Sequence, residues 1–136
     1  MLHTTTGTSL FWPAKQHLTI QIQSFGIKSG QPFPLGIDLY LDCRGVIDPS
    51  QNGIAGNGDN LEVQAFVKHN SATFAYFDLT LQGIYRLTTR RGEGKEFDKP
   101  FQVLTMCAHG IHRSRAMKHI LAEWLRDIGF QHVEVK

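Results

Sequence analysis

Six residues in one short stretch, Cys107, His109, Gly110, His112, Arg113 and Ser114, carry the groups of this chain best suited to chemistry on an anion. A guanidinium is planar and presents paired N–H groups to two phosphate oxygens at once. A serine hydroxyl donates to an anion or to a neighbouring thiolate, and a cysteine acts as a nucleophile only as the thiolate. The run CAHGIHRS, Cys107 to Ser114, sets the thiol, a glycine and the arginine within one tight bend. Two chemistries suit that set. One is holding a phosphate, with Cys107, Ala108, His109, Gly110, Ile111, His112, Arg113 and Ser114 forming the cradle; the other is attacking it, with Cys107 as nucleophile. A third reading needs no ligand at all: a buried cysteine ahead of a glycine turn that opens a helix.

The bend has to be held by regular structure, and the flanks supply it. FQVLTM, from Phe101 to Met106, is an apolar run of strand length introduced by Pro100. Beyond the bend, Ala116, Met117, Ile120, Leu121, Trp124, Leu125 and Ile128 recur at the spacing of one helix face, and Gly129 is placed to end it. Strand, turn and helix in that order bring unpaired amides and the positive end of a helix dipole to the turn, where an anion fits. The spacing C-x-x-G-x-x-R-S resembles the phosphate-binding loop of cysteine-dependent phosphatases. That likeness implies attack by Cys107 on phosphorus, with Asp48 or Asp42 protonating the leaving oxygen. Met106 stands where those enzymes usually carry a histidine that supports the thiolate, which counts against catalysis. His109, His112 and His119 with Cys107 follow no familiar tetrahedral spacing, so neither a metal nor a cofactor is expected. His112 reads as a donor to the anion or an orienter of the loop, and His119 as a solvated residue of the helix's polar face.

Composition sets the frame. A chain of 136 residues with 41% hydrophobic content is enough for one domain with its own core. A formal charge of +2 neither requires nor excludes RNA. Two cysteines without a signal-like start point to a reducing compartment, the cytoplasm, with Cys107 a thiol rather than half of a bridge. No stretch is long and apolar enough to suggest a membrane span.

Along the chain, residues 1–16 read as an N-terminal arm, docking through Phe11 and Trp12, and 17–136 as the domain. Leu18, Ile20 and Ile22 alternate with polar residues from His17, the period of a half-buried strand. Ser24 to Gly30 breaks it, Pro32 and Pro34 keep the chain extended, and a second strand follows from Ile37 to Cys43. Asp48 to Asn60 is almost all turn formers and reads as a mobile loop. Asn60 is placed to cap a helix over 61–68. Ser71 is placed to cap another that runs to about Leu87, with Phe74, Phe77, Leu81, Ile84 and Tyr85 inward. Residues 88–99 read as a charged loop, in which Arg90, Arg91, Lys95 and Lys99 offer positive charge to an RNA backbone or are simply solvated beside Glu93 and Glu96. A last strand covers 130–135. The expected fold is a single-domain α/β sandwich with a mixed, mainly parallel sheet of about four to five strands and flanking helices.

Two separated segments resemble one family, the C-terminal domain of the RNase adapter protein RapZ. SFGIKSG (Ser24–Gly30), with the strand ending at Asp42, Arg44 and then Pro49, is similar to that family's S-F-G-x-K-x-G and following D-x-R. CAHGIHRS is similar to its C-x-G-G-x-H-R-S. The resemblance implies a phosphate-dependent sensor or adapter domain that recognises a phosphorylated small molecule such as a phosphosugar or nucleotide. It also implies RNA as a partner and a homodimer or other homo-oligomer. Lys28, Asp42, Arg44, Cys107, Gly110, His112, Arg113 and Ser114 match the motifs. Lys28, Asp42 and Arg44 thereby become candidate ligand contacts at the carboxyl-end rim of the sheet, although an internal Asp42–Arg44 pair that holds a turn accounts for two of them equally well. The family's nucleotide-hydrolysing half has no counterpart in this sequence, and no Walker motif replaces it: Gly94 and Lys95 are followed by Glu96.

Overall fold

The computed structural model describes residues 13–91 and 97–136. The Phe11–Trp12 pair, and Glu93, Lys95 and Glu96 of the charged loop, lie outside them. Four strands form one sheet: β1 (Thr19–Gly26), β2 (Leu39–Asp42), β3 (Phe101–Cys107) and β4 (His132–Val135). Their order is β2-β3-β1-β4 and every pairing is parallel. Packed with them are α1 (Leu61–Lys68), α2 (Ser71–Arg90) and α3 (Arg113–Asp127); residues 13–17, most of them read from sequence as part of the arm, are helical as well, with Ala14 buried in the core. The chain is thus the α/β sandwich that its alternating patterns imply. A parallel ladder forces each connection to return along the sheet, so the carboxyl ends of β1, β2 and β3 gather on one rim with the loops that follow them.

Residues paired in a parallel ladder point to the same side. Ile20, Ile22, Leu41, Phe101 and Val103 are buried on one face, in a single core with Val63 and Val67 of α1, Ile84 of α2, and Met117, Ile120, Leu121 and Leu125 of α3. Gln21 and Gln102 stand on the other. Gln102 Nε2 donates to Gln21 Oε1 at 2.5 Å and Gln21 Nε2 to Glu134 Oε1 at 2.7 Å, an amide ladder across three strands. Phe33, from the connection that follows β1, lies against Phe25 edge-on at 5.3 Å and stacks on Tyr40 at 5.5 Å on that same side.

Several local expectations shift. α2 is capped by Asn70 rather than Ser71, the Asn70 side chain accepting from the Ala72 N–H at 3.0 Å, and the helix continues to Arg90. Its buried residues are Thr73, Thr80 and Ile84, while Phe74 and Tyr85 are 65% and 41% exposed. Threonine is tolerated inside because each hydroxyl has an acceptor: Thr73 Oγ1 donates to the Val67 carbonyl at 2.7 Å and Thr80 Oγ1 to the Tyr76 carbonyl at 2.8 Å. Phe74 instead stacks on Trp124 at 5.1 Å, across the gap to α3. Gly83, a weak helix residue, sits where a Cβ would come within 3.2 Å of the Phe101 ring and 3.3 Å of Leu39, so its absence lets α2 approach the sheet. At the end of α3, Ile128 is exposed rather than inward. The turn-rich segment after β2 is also more ordered than its composition suggests. Residues Pro49–Asn52 form a 3₁₀ turn capped by Asp48, which accepts from the Ser50 N–H at 3.0 Å. Among the described residues no helix is long and apolar enough to cross a membrane.

Phe101→Ala removes a fully buried ring at the centre of this core and should lower the unfolding free energy by about 3–5 kcal/mol. Tyr85→Ala, on the helix position that periodicity alone would have placed inward, should cost under about 1 kcal/mol. Urea denaturation of both variants checks the assignment.

Candidate functional site

Gly26 ends β1 opposite Cys107, the last residue of β3. Past that pair the two chains stay in register: the Ile27 N–H donates to the Cys107 carbonyl at 2.9 Å and the Lys28 N–H to the Ala108 carbonyl at 2.7 Å. The bend is therefore pinned to β1 along its outer side. Gly110 adopts φ 73°, the left-handed region, and a Cβ there would stand 2.6 Å from the Gly26 nitrogen. A Cβ on Gly26 would in turn collide with the His109 carbonyl. Two glycines thus permit main chain to lie on main chain. From the opposite side the Gly58 N–H donates to the Ile111 carbonyl at 2.7 Å, and a Cβ on Gly58 would run into the first turn of α3.

Inside the bend, two amides and a hydroxyl surround one sulfur. The Gly110 and Ser114 N–H groups donate to Cys107 Sγ at 3.3 and 3.5 Å, and the Cys107 thiol donates to Ser114 Oγ at 3.1 Å, a bond that reverses when the sulfur is a thiolate. Ser114 is buried, and its carbonyl accepts from Thr105 Oγ1 at 2.7 Å, which fixes the hydroxyl's backbone from the strand side. Burial pushes the Cys107 thiol up, but the Ser114 hydroxyl, the Ser114 and Gly110 amides and the Arg113 charge together outweigh it, so its pKa is lowered. The geometry is that of a loop closed around a negative centre at a helix N-terminus.

Arg113 opens α3 and reaches across to the loop after β2. Its Nη1 donates to the carbonyls of Arg44 at 3.1 Å and Val46 at 3.4 Å. That span brings the two resembling segments together in space. Asp42 and Arg44 are joined to each other: Arg44 Nε and Nη2 donate to the Asp42 carboxylate at 2.9 and 2.7 Å, and the Arg44 amide donates to it at 3.1 Å. The Arg44 side-chain bond is the main cause holding the Asp42 carboxyl below its usual range. Tyr76 of α2 donates its hydroxyl to the Asp42 carbonyl at 2.5 Å. The pair is an exposed turn clasp at the rim. Asp48 is raised by burial but lowered further by its bonds from Ser50 and by the charges of Arg113 and His112, leaving it a stabilised carboxylate beside the bend. Lys28 is exposed, with its amide tied to Ala108. His109 and Ile111 are exposed on the outside of the bend, and His112 is the N-cap of α3 without a side-chain capping bond.

His119 is less solvated than its helix position suggests. Its Nε2 lies 2.8 Å from Asp59 Oδ1, on the loop that also carries Gly58, and Arg115 Nη1 is 3.6 Å from Asp59 Oδ2. Among the described residues no three His, Cys, Asp or Glu side chains are grouped as for a metal ion. Gly26, Gly58 and Tyr76 are the parts of this arrangement that no sequence signal singled out for a role. Gly26 stands in the SFGIKSG motif, but its contact is to a loop far along the chain. Gly58 is one of several glycines in its segment, and Tyr76 lies on an unremarkable helix.

Residues 18–136 match the family model described as the RapZ C-terminal domain. Among curated proteins, the chain is similar to one named a nucleotide-binding protein from Ruegeria sp. (strain TM1040), 30% identical over 125 residues that make up 90% of this chain and 40% of that protein. A protein with the same description from Bacillus pumilus (strain SAFR-032) is 28% identical over 123 residues, 87% of this chain and 39% of its own length. The chain thus spans about two fifths of the length of the curated relatives it matches.

The lowered Cys107 pKa means that the thiolate fraction at neutral pH exceeds that of an ordinary cysteine. The rate of alkylation by iodoacetamide should therefore rise with a midpoint below 9.0, the ordinary thiol value. Ser114→Ala removes one donor to the sulfur and should move that midpoint upward. An unmoved midpoint would mean that the hydroxyl does not stabilise the charge.

Proposed function

Because the chain belongs to the RapZ C-terminal domain family, we propose that it is a phosphate-anchored ligand-binding domain of the sensor or adapter kind. The bend from Cys107 to Ser114 grips the phosphate of a small molecule. One observation carries this reading: the bend, turned by Gly110 at φ 73°, opens α3, so that the positive end of the helix and Arg113, its first residue, meet at one point. Arg113 Nη1 is occupied by main-chain carbonyls, so Nε and Nη2 are the groups this reading offers to phosphate oxygens. Lys28, Asp42 and Arg44 stand on the same rim and are assigned to the rest of the ligand, where the clasped Asp42–Arg44 pair presents both charges to solvent. The relatives' name favours a nucleotide, and the two matched motifs favour a phosphosugar; both present a phosphate group.

RNA is the less supported partner. Of the basic residues offered to it, Arg91 is engaged by the Lys99 and Pro100 carbonyls, at 2.6 and 3.3 Å, and lies 3.9 Å from Asp38. A cytoplasmic location suits the two free thiols. Self-association remains part of the proposal through the family alone.

Hydrolysis is the competing reading, and one observation favours it: the Cys107 pKa is lowered. Both carboxylates offered as its acid are also lowered, Asp42 by the bond from Arg44 and Asp48 by its bonds from Ser50, which counts against either as proton donor.

Titration calorimetry with inorganic phosphate, a hexosamine phosphate and a nucleoside phosphate tests the cradle. Arg113→Ala should weaken whichever binds by at least about tenfold, the scale of a charge-assisted bond to phosphate; unaltered affinity would remove the guanidinium from the site. An aryl phosphate should not be turned over. Phosphate release that vanishes in a Cys107→Ser variant still able to bind would replace the sensor with an enzyme.

A further inference from the structure

We propose that Cys107 is a site of reversible oxidation and that Cys43 is its resolving partner, so that peroxide converts the two into an intrachain disulfide. These are both of the chain's cysteines, and both are free and buried. The β2–β3 ladder runs from Leu39↔Val103 to Asp42↔Met106, and the next residue on each chain is Cys43 and Cys107. Cys43 belongs to the core, and Cys107 Sγ meets Ser114 of α3, the helix packed on that same face. Strands in a ladder lie about 4.8 Å apart, so two residues that directly follow its last pair start close to the range of about 4.4–6.8 Å between the Cα atoms of bridged cysteines. Cys43 opens the 3₁₀ turn Cys43–Gly45, which packs on β3, and its thiol donates to the Leu41 carbonyl at 3.6 Å while lying near enough to Cys107 to feel its charge.

The two thiols divide the steps between them. Cys107, its pKa lowered, is the more acidic and meets the oxidant first, whereas burial pushes Cys43 up to about 12, so its proton must leave as it attacks and resolution is the slower step. In the first step the Cys107 sulfur attacks hydrogen peroxide. An S–O bond forms, the O–O bond breaks, and hydroxide leaves. The product, a sulfenic acid, is uncharged, which removes the repulsion that Cys107 exerts on Cys43. In the second step the Cys43 sulfur gives up its proton and attacks the Cys107 sulfur; the S–S bond forms and the S–O bond breaks, the leaving hydroxide taking a proton to become water. The two sulfurs lose two electrons in all, and one peroxide becomes two waters. A dithiol reverses it.

The bridge would draw Cys107 Sγ off the Gly110 and Ser114 donors towards β2 and end its negative charge. If the bend is the phosphate cradle argued above, oxidation switches ligand binding; that consequence rests on the proposed function, whereas the disulfide itself does not.

The test treats the reduced 136-residue chain with stoichiometric hydrogen peroxide, blocks remaining thiols under denaturing conditions and maps peptides by mass spectrometry. A Cys43–Cys107 linked peptide in monomeric chain, lost again with dithiothreitol, is expected, preceded by a dimedone-trapped sulfenic acid on Cys107 alone. Cys43 still open to alkylation while Cys107 proceeds to sulfinic acid overturns the proposal, as does a bridge between two chains. Cys43→Ala, treated in the same way, should reach the irreversible acid and fail to recover with dithiothreitol, whereas the parent chain recovers. Phosphate titrations run alongside separate the two ideas. A reduced chain that binds no phosphate defeats the cradle but leaves the linked peptide standing, and a linked peptide with phosphate affinity unchanged defeats the switch.

Discussion

The contact of main chain on main chain between Gly26 and the bend at Gly110 is the constraint from which the rest of the arrangement follows. Parallel pairing of β1 with β3 continues beyond the strands, so the carbonyls of Cys107 and Ala108 are taken up by the amides of Ile27 and Lys28, the residues that follow β1. With these engaged outward, the amides of Gly110 and Ser114 are left to turn toward the Cys107 sulfur. Any side chain at position 26 or 110 would part the two backbones and open that closure. The two motifs that lie far apart in the chain are therefore one structural unit, with a glycine from each at the point of contact.

Around this unit the helices act as braces. α3 carries Ser114 and Arg113 in its first turn and is anchored to the core by Met117, Ile120, Leu121 and Leu125. Arg113 then ties the bend to the loop after β2 through two carbonyls, and Tyr76 ties that loop to α2. Gly58 closes the far side, and Asp59 next to it holds His119 and Arg115 of α3. Each brace uses a main-chain carbonyl or an exposed ion pair on the rim, so the rim is stiffened without burying an unpaired charge. The Arg113 charge favours the Asp48 carboxylate beside the bend.

The chain's own residues determined the central element almost completely. An apolar run, a glycine bend and a helical stripe from Phe101 to Ile128 form strand, turn and helix because period and turn chemistry are local properties, read from neighbours along the chain. The same holds for the thiol, guanidinium and hydroxyl of the bend, and for Asn60 as a cap. Sequence was weaker where two local answers compete. Asn70 and Ser71 both suit a cap, and the face of α2 that turns inward was chosen by buried threonines with internal acceptors and by the approach of Gly83 to Phe101, not by the count of apolar residues.

What tertiary structure alone decided is which distant groups meet. No spacing shows that Gly26 abuts Gly110, that Arg113 Nη1 is taken by Arg44 and Val46, or that Cys43 and Cys107 each follow the last pair of one ladder. Each depends on strand order and register, which arise from packing the whole sheet against its helices. A short chain segment records its own conformational preference, and the partner across the sheet is recorded only in the fold.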